Sequence, residues 1–510
     1  MKKVMVLDFG SQYTQLIARK VRELGVFSEI YPFDVSLELT KDQELGAIIL
    51  SGGPQSVYEK GAPLISADIF RMKVPILGIC YGLQLMAFLL NGNVVPSKKR
   101  EYGFATLQIN NRGGLLNGIE DNTRVWMSHG DKVIKVPPGF IVSAVTENCE
   151  TAVIENISEK QVGVQFHPEV IHTEKGMEIL SNFLFSIAGL KPEWNMGSFI
   201  DQKTEDIQKQ VGRGNVVCGL SGGVDSLVAS LIIQKAIGDR LTCVFVDNGL
   251  LRKGQFDDLM KKFRSKFSLN VLGVEAAALF LEKLKGVISP ERKRKIIGRE
   301  FILIFENEAK KIGNVEFLAQ GTIYPDVIES SPVKGPSASI KSHHNVGGLP
   351  KGLRFKLVEP LRELFKDEVR VLGMELGIDE AFIHQHPFPG PGLAVRVVGE
   401  VTKERLSIIR EADEILLQEV KDAGLYNNIW QAFTVLLPVK SVGVMGDKRT
   451  YQRVVVVRMV QSVDGMTADW FPAETSLLTR ISNRIVNEVE GVNRVVYDIT
   501  SKPPGTIEWE

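Results

Sequence analysis

The sequence is poor in cysteine and has no excess of either charge. Its 510 residues include four cysteines, Cys80, Cys149, Cys218 and Cys243, and no two of them form a Cys-x-x-Cys pair. This argues against a disulfide framework or a structural zinc site and favours a reducing compartment, so we expect a cytoplasmic protein. Lys+Arg and Asp+Glu are both 61. No overall field therefore attracts nucleic acid or an anionic membrane, and neither is an expected partner.

A membrane span and the commonest nucleotide-binding loop are also not expected. The uncharged segment 74–96 is long enough to cross a bilayer. Glycine, proline and asparagine interrupt it, which suits a buried strand, a sharp turn and a helix. The chain contains no Gly-Lys dipeptide, which excludes the loop whose Gly-Lys-Ser/Thr lysine reaches nucleotide phosphates. The length predicts about two to four domains, because one core cannot serve so long a chain.

A glycine-rich loop stands between a strand-like run, 215–220, and a helix-like segment. The loop consists of Ser221, Gly222, Gly223, Val224, Asp225 and Ser226. Backbone N–H groups and the helix dipole make such a loop an anion site, and adjacent glycines let a phosphate approach closely. An ordinary turn of small residues is the simpler alternative, but the full motif behind a strand favours the anion site. The loop resembles that of the N-type ATP pyrophosphatases, which implies cleavage of ATP between its α and β phosphates and adenylation of an acceptor oxygen.

A cysteine between two glycines makes the N-terminal region a candidate catalytic domain. Residues 1–190 alternate strand-like and helix-like segments, which predicts a parallel sheet with packed helices. Cys80 lies between Gly78 and Gly82 at a predicted strand-to-helix turn. Such a turn presents a nucleophile at the sheet edge, and the helix N-terminus favours the thiolate. A free cysteine is more often buried core, so this interpretation requires catalytic partners.

His167 and Glu169 are the candidate partners of Cys80. They are two positions apart after the strand-like run 162–166, so on extended backbone both side chains project to the same side. The histidine can serve as the base and the glutamate can orient it, although a lone histidine is commonly structural. Backbone N–H groups of Gly53, after another predicted strand, and of Tyr81 can stabilise an oxyanion.

These residues resemble the class I glutamine amidotransferases. The resemblance rests on the turn around Cys80, on His167-Pro168-Glu169 and on Ser51-Gly52-Gly53-Pro54. It implies glutamine hydrolysis through a γ-glutamyl thioester, with release of ammonia. It also implies a set of glutamine-binding residues, namely Gly52, Gln84, Ser128 and His129. For the last two, a polar surface turn is the alternative.

Residues downstream of the loop are candidates for completing an ATP site. The strand-like run 241–247 predicts that Val246 lines the nucleoside site, because ligands of parallel sheets bind at the carboxyl ends of strands. Asp326, after a further predicted strand, is a candidate ligand of the Mg²⁺ that accompanies ATP. The Ser-, Pro- and Gly-rich stretch 330–352 contains Lys341 and predicts a lid over the phosphates, with a solvated loop as the alternative.

Two irregular stretches predict the domain boundaries. Residues 191–206 are expected to be a linker, and the proline-rich stretch 386–392 a hinge. We therefore predict an α/β protein with two doubly wound parallel-sheet domains, 1–190 and 207–385, followed by a small α+β domain, 386–510.

The expected elements of the small C-terminal domain are two helices and two strands. The helices are predicted near 403–423 and 477–489, and the strands at 454–459 and 494–497. The terminal segment 501–510 contains proline, isoleucine and tryptophan, so we expect it to dock on the protein.

Several blocks resemble the GMP synthetase family along the whole chain. They are residues 8–13, 341–350, 386–392, 431–434 and the C-terminal tail. This resemblance implies that ATP adenylates XMP at O2 and that ammonia displaces AMP at C2, giving GMP, AMP, pyrophosphate and glutamate. It assigns contacts with ATP to Lys341 and dimerisation to the third domain, so a homodimer is expected. The implied XMP-binding residues are Arg294, Gln431, Lys502, Ile507 and Glu508.

Two other interpretations remain open from the residues. One is an amidotransferase that adenylates a different acceptor, such as a deamido-NAD-type substrate. The other is a catalytically silent scaffold that binds glutamine or a nucleotide. A missing triad or loop residue would favour the scaffold, and none is missing.

Overall fold

The protein folds into two compact units. The structure, a computed structural model, describes residues 2–36, 44–330, 355–445, 447–462 and 467–510. The described residues up to Ser198 form the first unit, and those from Phe199 onward form the second. The division falls in the first turn of a helix, Met196–Val211, so the predicted linker 191–206 is helical from Met196.

The first unit is a mixed α/β structure. Its described residues form the strands β1 (Lys3–Asp8), β2 (Phe27–Pro32), β3 (Leu45–Leu50), β4 (Ile76–Ile79), β5 (Asn93–Thr106), β6 (Gln108–Ile109), β7 (Arg124–Lys135), β8 (Ile141–Val145), β9 (Val153–Asn156) and β10 (Gln161–Val164). Its helices are α1 (Thr14–Glu23), α2 (Tyr81–Leu89) and α3 (Gly176–Ser181).

Eight of these strands form one sheet in the order β2-β1-β3-β4-β10-β9-β8-β6. The pairings from β2 to β10 are parallel. Those among β10, β9, β8 and β6 are antiparallel. The predicted parallel sheet is therefore confirmed for five strands, and an antiparallel extension adds three more. β5 and β7 form a separate antiparallel ribbon.

The uncharged segment 74–96 lies inside this unit. It forms β4, a turn, α2 and the start of β5, as the interrupted apolar pattern predicted. All four residues of β4 are buried, as is typical of a central parallel strand. No helix in the described parts of the chain is long and apolar enough to cross a membrane.

The second unit contains the remaining elements. Its strands are β11 (Asn215–Leu220), β12 (Leu241–Asp247), β13 (Val271–Glu275), β14 (Val315–Ala319), β15 (Lys356–Val358), β16 (Gln431–Met445), β17 (Lys448–Gln461), β18 (Asp469–Trp470) and β19 (Val492–Tyr497). Its helices are α4 (Met196–Val211), α5 (Val224–Ile237), α6 (Gln255–Ser265), α7 (Ala277–Leu284), α8 (Pro290–Ile312), α9 (Tyr324–Ser330), α10 (Lys366–Glu375), α11 (Glu380–Ile383), α12 (Lys403–Asp422) and α13 (Thr475–Glu488).

The five strands β13-β12-β11-β14-β15 form a parallel sheet in that order. Successive residues of a strand point to opposite faces. In β11, the Cys218 sulfur accepts a hydrogen bond of 3.2 Å from Ser230 of α5. A Cβ added at the next residue, Gly219, would lie 2.7 Å from the Phe305 ring of α8. Helices α5 and α8 therefore cover opposite faces, which is a doubly wound arrangement.

A smaller sheet follows near the C-terminus. β17 is antiparallel to β16 and β18 and parallel to β19. The helices α12 and α13 and the strands β17 and β19 lie where the sequence predicted them. The long strand β16 was not predicted. It pairs with β17 as far as Met445, well beyond the part of β17 that β19 covers.

One hydrophobic cluster extends from the parallel sheet to the smaller sheet. It includes Val244 of β12, Ile297 of α8, Leu416 of α12 and Val455 of β17. The stretch 386–392 therefore lies within a single compact unit. A domain boundary at residue 385 stays a prediction.

Candidate active sites

Cys80 lies in the sharp turn between β4 and α2. Its φ of 54° and ψ of −105° are rarely adopted by residues with a side chain. The turn depends on close backbone approach, because a Cβ at Gly78 would lie 2.7 Å from the Gly82 backbone. A Cβ at Gly82 would overlap the carbonyl oxygen of Leu50. The two glycines therefore permit the strained turn that presents the thiol.

His167 and Glu169 lie after β10, next to Cys80. Both side chains are buried, and Nδ1 of His167 is 2.7 Å from Oε1 of Glu169. Burial of the ring opposes its charged form, but the charge on Glu169 and hydrogen bonds with Cys80 and Glu169 raise the pKa of His167 well above its usual value. The imidazole can therefore hold the thiol proton and leave a nucleophilic thiolate at Cys80.

Backbone contacts fix this arrangement. The Cys80 N–H donates to the Val164 carbonyl of β10 at 2.8 Å, and the His167 N–H donates to the Trp126 carbonyl of β7 at 3.0 Å. A Cβ at Gly52 would lie 3.1 Å from Cε1 of His167, so the Gly52 backbone lies against the ring. The nucleophile and the base are thus held by neighbouring strands.

The two residues expected to form the oxyanion site are adjacent. A Cβ at Gly53 would lie 3.2 Å from Cγ of Tyr81. Tyr81 is the first residue of α2, and the first N–H groups of a helix have no acceptor within it. Stabilisation of negative charge beside the Cys80 sulfur by these two N–H groups stays a prediction.

Three of the expected glutamine-binding residues lie around the thiol. The Cys80 sulfur is 3.7 Å from the Ser128 carbonyl oxygen and 3.7 Å from Nε2 of Gln165. Gln84 donates to Oε1 of Gln165 at 3.3 Å and to the Asp131 carbonyl at 3.2 Å. Gln165 was not singled out from the sequence, although its place two residues before His167 puts it on the same face of the chain. Gly52 completes the set beside His167.

The His129 side chain is engaged elsewhere. Its Nδ1 is 2.8 Å from the Asp131 carbonyl oxygen and its Nε2 is 3.2 Å from Oε2 of Glu101. Neighbouring residues of a strand point to opposite faces, so the ring faces away from the side of Ser128. A role for His129 in binding glutamine stays a prediction.

Glu101, His129 and Cys149 form a buried cluster with the residue types of a metal site. Burial raises the pKa of the Cys149 thiol to about 11. Burial also opposes ionisation of Glu101, but hydrogen bonds from His129 and Thr146 outweigh it and lower the pKa of that carboxyl. The cluster therefore satisfies its own polar groups.

The second site is the loop 221–226, whose first three residues follow the central strand β11 and whose last three begin α5. The Ser221 N–H donates to Oγ of Ser226 at 3.2 Å, and the Gly223 N–H donates to Oγ of Ser221 at 3.3 Å. Gly222 has a φ of 81°, which favours glycine. The serines shape the loop around the first N–H groups of α5, which is the geometry of a phosphate site.

Lys366, at the start of α10, is a cation at this loop that the sequence did not reveal. Its Nζ is 2.6 Å from both carboxylate oxygens of Asp225. The Lys366 side chain is 42% exposed. The two residues are 141 positions apart, so no local pattern could have linked them.

The loop after β14 packs against the same helix start. A Cβ at Gly321 would lie 3.0 Å from the backbone of Asp225 and Ser226. The Oδ2 of Asp326 accepts the Ile323 N–H at 3.1 Å and so caps α9. Val246 is buried at the end of β12. Lys341 lies outside the described residues, and the ligand roles of Asp326 and Val246 stay predictions.

The C-terminal tail docks on the second unit and brings together most of the residues expected to bind XMP. Nε2 of Gln431 donates to Oε1 of Glu508 at 2.8 Å. Arg294 donates to the backbone oxygen of Glu510. Ile507 is buried, and the Lys502 N–H donates to the Ala468 carbonyl at 2.7 Å.

A cleft of about 660 Å³ opens beside this tail. It is lined by Trp430, Gln461, Ala468 and Ser501 among others. Trp430 and Ser501 are the chain neighbours of Gln431 and Lys502. Arg294, Gln431, Lys502, Ile507 and Glu508 are not among its lining residues, so a nucleotide site here stays a prediction.

Comparisons with known proteins match family models to the N-terminal and C-terminal parts of the chain and relatives to its whole length. The family model of class I glutamine amidotransferases matches residues 5–187, and that of the GMP synthase C-terminal domain matches residues 418–509. The GMP synthase (glutamine-hydrolysing) of Brachyspira hyodysenteriae is 56% identical, and the match covers 100% of this chain and 99% of the relative. The enzyme of the same name from Carboxydothermus hydrogenoformans is 57% identical with the same coverage. A solved structure, a glutamine amidotransferase of Thermotoga maritima, is 20% identical, covers 37% of this chain and 99% of its own, and has a TM-score of 0.31.

Proposed function

The chain belongs to the family of glutamine-hydrolysing GMP synthases, and from this premise we propose how its residues divide the reaction. The protein is a glutamine-dependent GMP synthase. The first unit releases ammonia from glutamine. The second unit uses ATP to activate XMP and then aminates it. The observation that carries this division is the hydrogen-bonded arrangement of Cys80, His167 and Glu169 in a chain that also contains the loop 221–226.

In the first unit, the Cys80 thiolate attacks the amide carbon of glutamine. The N–H groups of Gly53 and Tyr81 stabilise the oxygen that becomes negative. His167 then gives its proton to the leaving nitrogen, so that ammonia departs and a thioester remains. Water, deprotonated by His167, hydrolyses the thioester to glutamate and regenerates the thiol.

In the second unit, the loop 221–226 binds the β and γ phosphates of ATP. The O2 of XMP attacks the α-phosphorus, pyrophosphate leaves, and an adenylated XMP results. Ammonia adds at C2, and AMP departs with the oxygen. Lys366 lies at the loop, where it pairs with Asp225. Its ammonium group can also bind the departing pyrophosphate.

A divalent cation fits the donor chemistry of this site. Asp326 offers a carboxylate, and Mg²⁺ is commonly held by one or two carboxylates together with substrate phosphates, whereas both carboxylate oxygens of Asp225 are paired with Lys366. When bound, Mg²⁺ would spread the phosphate charge. The hydrogen bonds of the loop position the nucleotide independently of the ion.

The tail and β16 bind XMP. Gln431 and Glu508 are adjacent polar groups that can recognise the purine, and Ile507 packs beside them. Arg294 and Lys502 supply positive charge for the nucleotide phosphate. These assignments are supported by the contacts that Gln431 and Arg294 make with the tail.

The far part of the β16–β17 hairpin serves as the contact between two copies of the chain. Val442 and Tyr451 are directly opposed in its register, and Val444 follows on the same face. Val444 is 73% exposed, Tyr451 57% and Val442 48%. An apolar strand face exposed in this way favours association, and a homodimer is the simplest closed assembly.

A steady-state assay tests the function. Purified protein is given ATP, glutamine and either XMP or a deamido-NAD-type acceptor, while AMP and GMP are measured. AMP is expected to form only with XMP and in equal amount to GMP. AMP release that does not depend on XMP would refute the proposed acceptor.

A further inference from the structure

Three buried cations hold the C-terminal tail. Arg458, Arg396 and Lys293 are each at most 1% exposed. Arg458 donates to the carbonyl oxygens of Ile507 and Thr506, at 2.9 Å each. The side chain of Lys293 contacts the carboxylate of Glu510, and Arg396 binds that of Glu508. The tail is thus fixed by its backbone and by two of its carboxylates.

The contact between Arg396 and Glu508 is a fork in which two nitrogens meet two oxygens. Nε of Arg396 is 3.2 Å from Oε2, and Nη2 is 3.0 Å from Oε1. The guanidinium lies over the ring of Phe433, at 4.3 Å from its centroid, and 5.2 Å from that of Phe388. Because aromatic rings and the bidentate geometry both restrict the group, it holds the carboxylate in one orientation.

This fork leaves one hydrogen-bond acceptor position of the Glu508 carboxylate available to a ligand. Oε1 accepts from both Arg396 and Gln431. Oε2 accepts from Arg396, and a carboxylate oxygen can accept about two hydrogen bonds. The Glu508 side chain is 21% exposed, whereas that of Arg396 is fully buried. The remaining acceptor of Glu508 therefore faces the accessible side.

Arg396 is not arranged to give the most stable fold. Its Nη1 has no hydrogen-bond partner in the described parts of the chain, and Oδ1 of Asp413 is 3.9 Å away. A buried cation with an unsatisfied donor is unfavourable. Such a placement is expected where a group orients a functional residue.

We propose that Arg396 is a positioning residue for GMP synthesis, which fixes Glu508 so that its free acceptor binds an N–H group of the purine ring of XMP. The inference rests on the proposed function of the tail. Arg396 acts through Glu508 and makes no contact with the substrate.

The test measures GMP formation with added ammonia as nitrogen donor, so that the glutaminase site is not needed. Arg396→Met is expected to raise the KM for XMP about ten- to a hundredfold, because it removes both hydrogen bonds that orient the Glu508 carboxylate. The KM for ATP is expected to stay within about twofold, since Arg396 serves only the acceptor site. Arg480→Met is the matched control, because Arg480 also pairs with a glutamate, Glu419, at 2.9 Å but is 51% exposed. It is expected to leave both KM values unchanged.

Arg396→Lys keeps the charge but cannot donate two parallel hydrogen bonds, and it provides a folded variant if the methionine variant is unstable. It is expected to raise the KM for XMP about three- to tenfold, with little change in kcat. An unchanged KM for XMP, or equal increases for XMP and ATP, would overturn the proposal. If wild-type protein forms no GMP from XMP, the proposed function fails instead.

A double variant separates positioning from an independent effect. Glu508→Gln alone is expected to raise the KM for XMP. If Arg396 acts through Glu508, adding Arg396→Lys to that variant raises the KM by less than about twofold further. If the two substitutions raise the KM for XMP by independent factors, so that the double variant shows their product, the proposal is contradicted.

Discussion

Replacing Glu169 with glutamine removes a buried charge from beside His167 with little change in shape. The Oε1 of Glu169 is 2.7 Å from Nδ1 of His167, and its side chain is fully buried. A hydrogen bond to a charged group contributes about 1.5–3 kcal/mol. Because about 1.4 kcal/mol corresponds to a tenfold change in rate, loss of this bond corresponds to about ten- to 150-fold in kcat, and the pKa of His167 should fall in Glu169→Gln.

The direction of the pH effect follows from the ion pair. Glutaminase activity requires the protonated imidazole that accompanies the Cys80 thiolate, so activity is lost at high pH when His167 loses its proton. Glu169 raises that pKa in the wild type. In Glu169→Gln the high-pH limb should therefore move to lower pH, and kcat should fall about ten- to 150-fold.

The assay is glutamate release from glutamine as a function of pH. Glu155→Gln is the matched control, because Glu155 is a carboxylate of the same unit that is 1% exposed and accepts the Leu115 N–H at 2.6 Å. Burial raises the pKa of Glu155, so a neutral amide should be tolerated there. The reasoning is refuted if the high-pH limb of Glu169→Gln stays in place or moves to higher pH.

Three further variants probe the other sites. Cys80→Ala should abolish glutamine-driven GMP formation but keep formation from added ammonia. The control Cys149→Ala, at another buried thiol, should keep both reactions. If Cys80→Ala also loses the ammonia-driven reaction, Cys80 is structural. Lys366→Met should lower kcat/KM for ATP at least about tenfold through loss of a phosphate-binding cation. The control Lys266→Met should not, although Lys266 is 41% exposed and also pairs with an aspartate. Equal effects of the two variants would show that Lys366 does not bind the phosphates. Val444→Asp should shift the sedimentation of the protein from dimer to monomer. The control Ile288→Asp, at a residue that is 67% exposed, should not. A Val444→Asp protein that stays dimeric would exclude the hairpin as the contact.

The sequence was most informative where functional residues are close together in the chain. Cys80 with its flanking glycines, and His167 with Glu169, form short patterns whose geometry follows from one turn and one extended segment. The loop 221–226 is similarly contained in a strand, a turn and a helix start. For these, local backbone conformation determines which groups converge.

Contacts between distant segments were not predictable in the same way. Lys366 contacts Asp225, and Arg396 contacts Glu508, only after the sheets have formed. In addition, a lysine or arginine in a helix or loop is usually solvated, so neither residue stood out in the sequence. The antiparallel strands β8 and β9 were missed because short apolar runs do not reveal the direction of pairing. His129 was assigned from resemblance, but its orientation depends on the register of β7, which the sequence does not reveal.

The hydrophobic cluster that joins the two sheets of the second unit limits how this part of the chain can change through recombination. An exchange between related genes at the codons for residues 385 and 386 would combine half a core from each parent. Val244 and Ile297 would then have to pack against foreign counterparts of Leu416 and Val455. Mismatched volumes in a core commonly cost about 1–3 kcal/mol. Residues 199–510 should therefore be inherited together. The nucleotide loop and the acceptor site, which both lie in this part of the chain, would then not be exchanged separately.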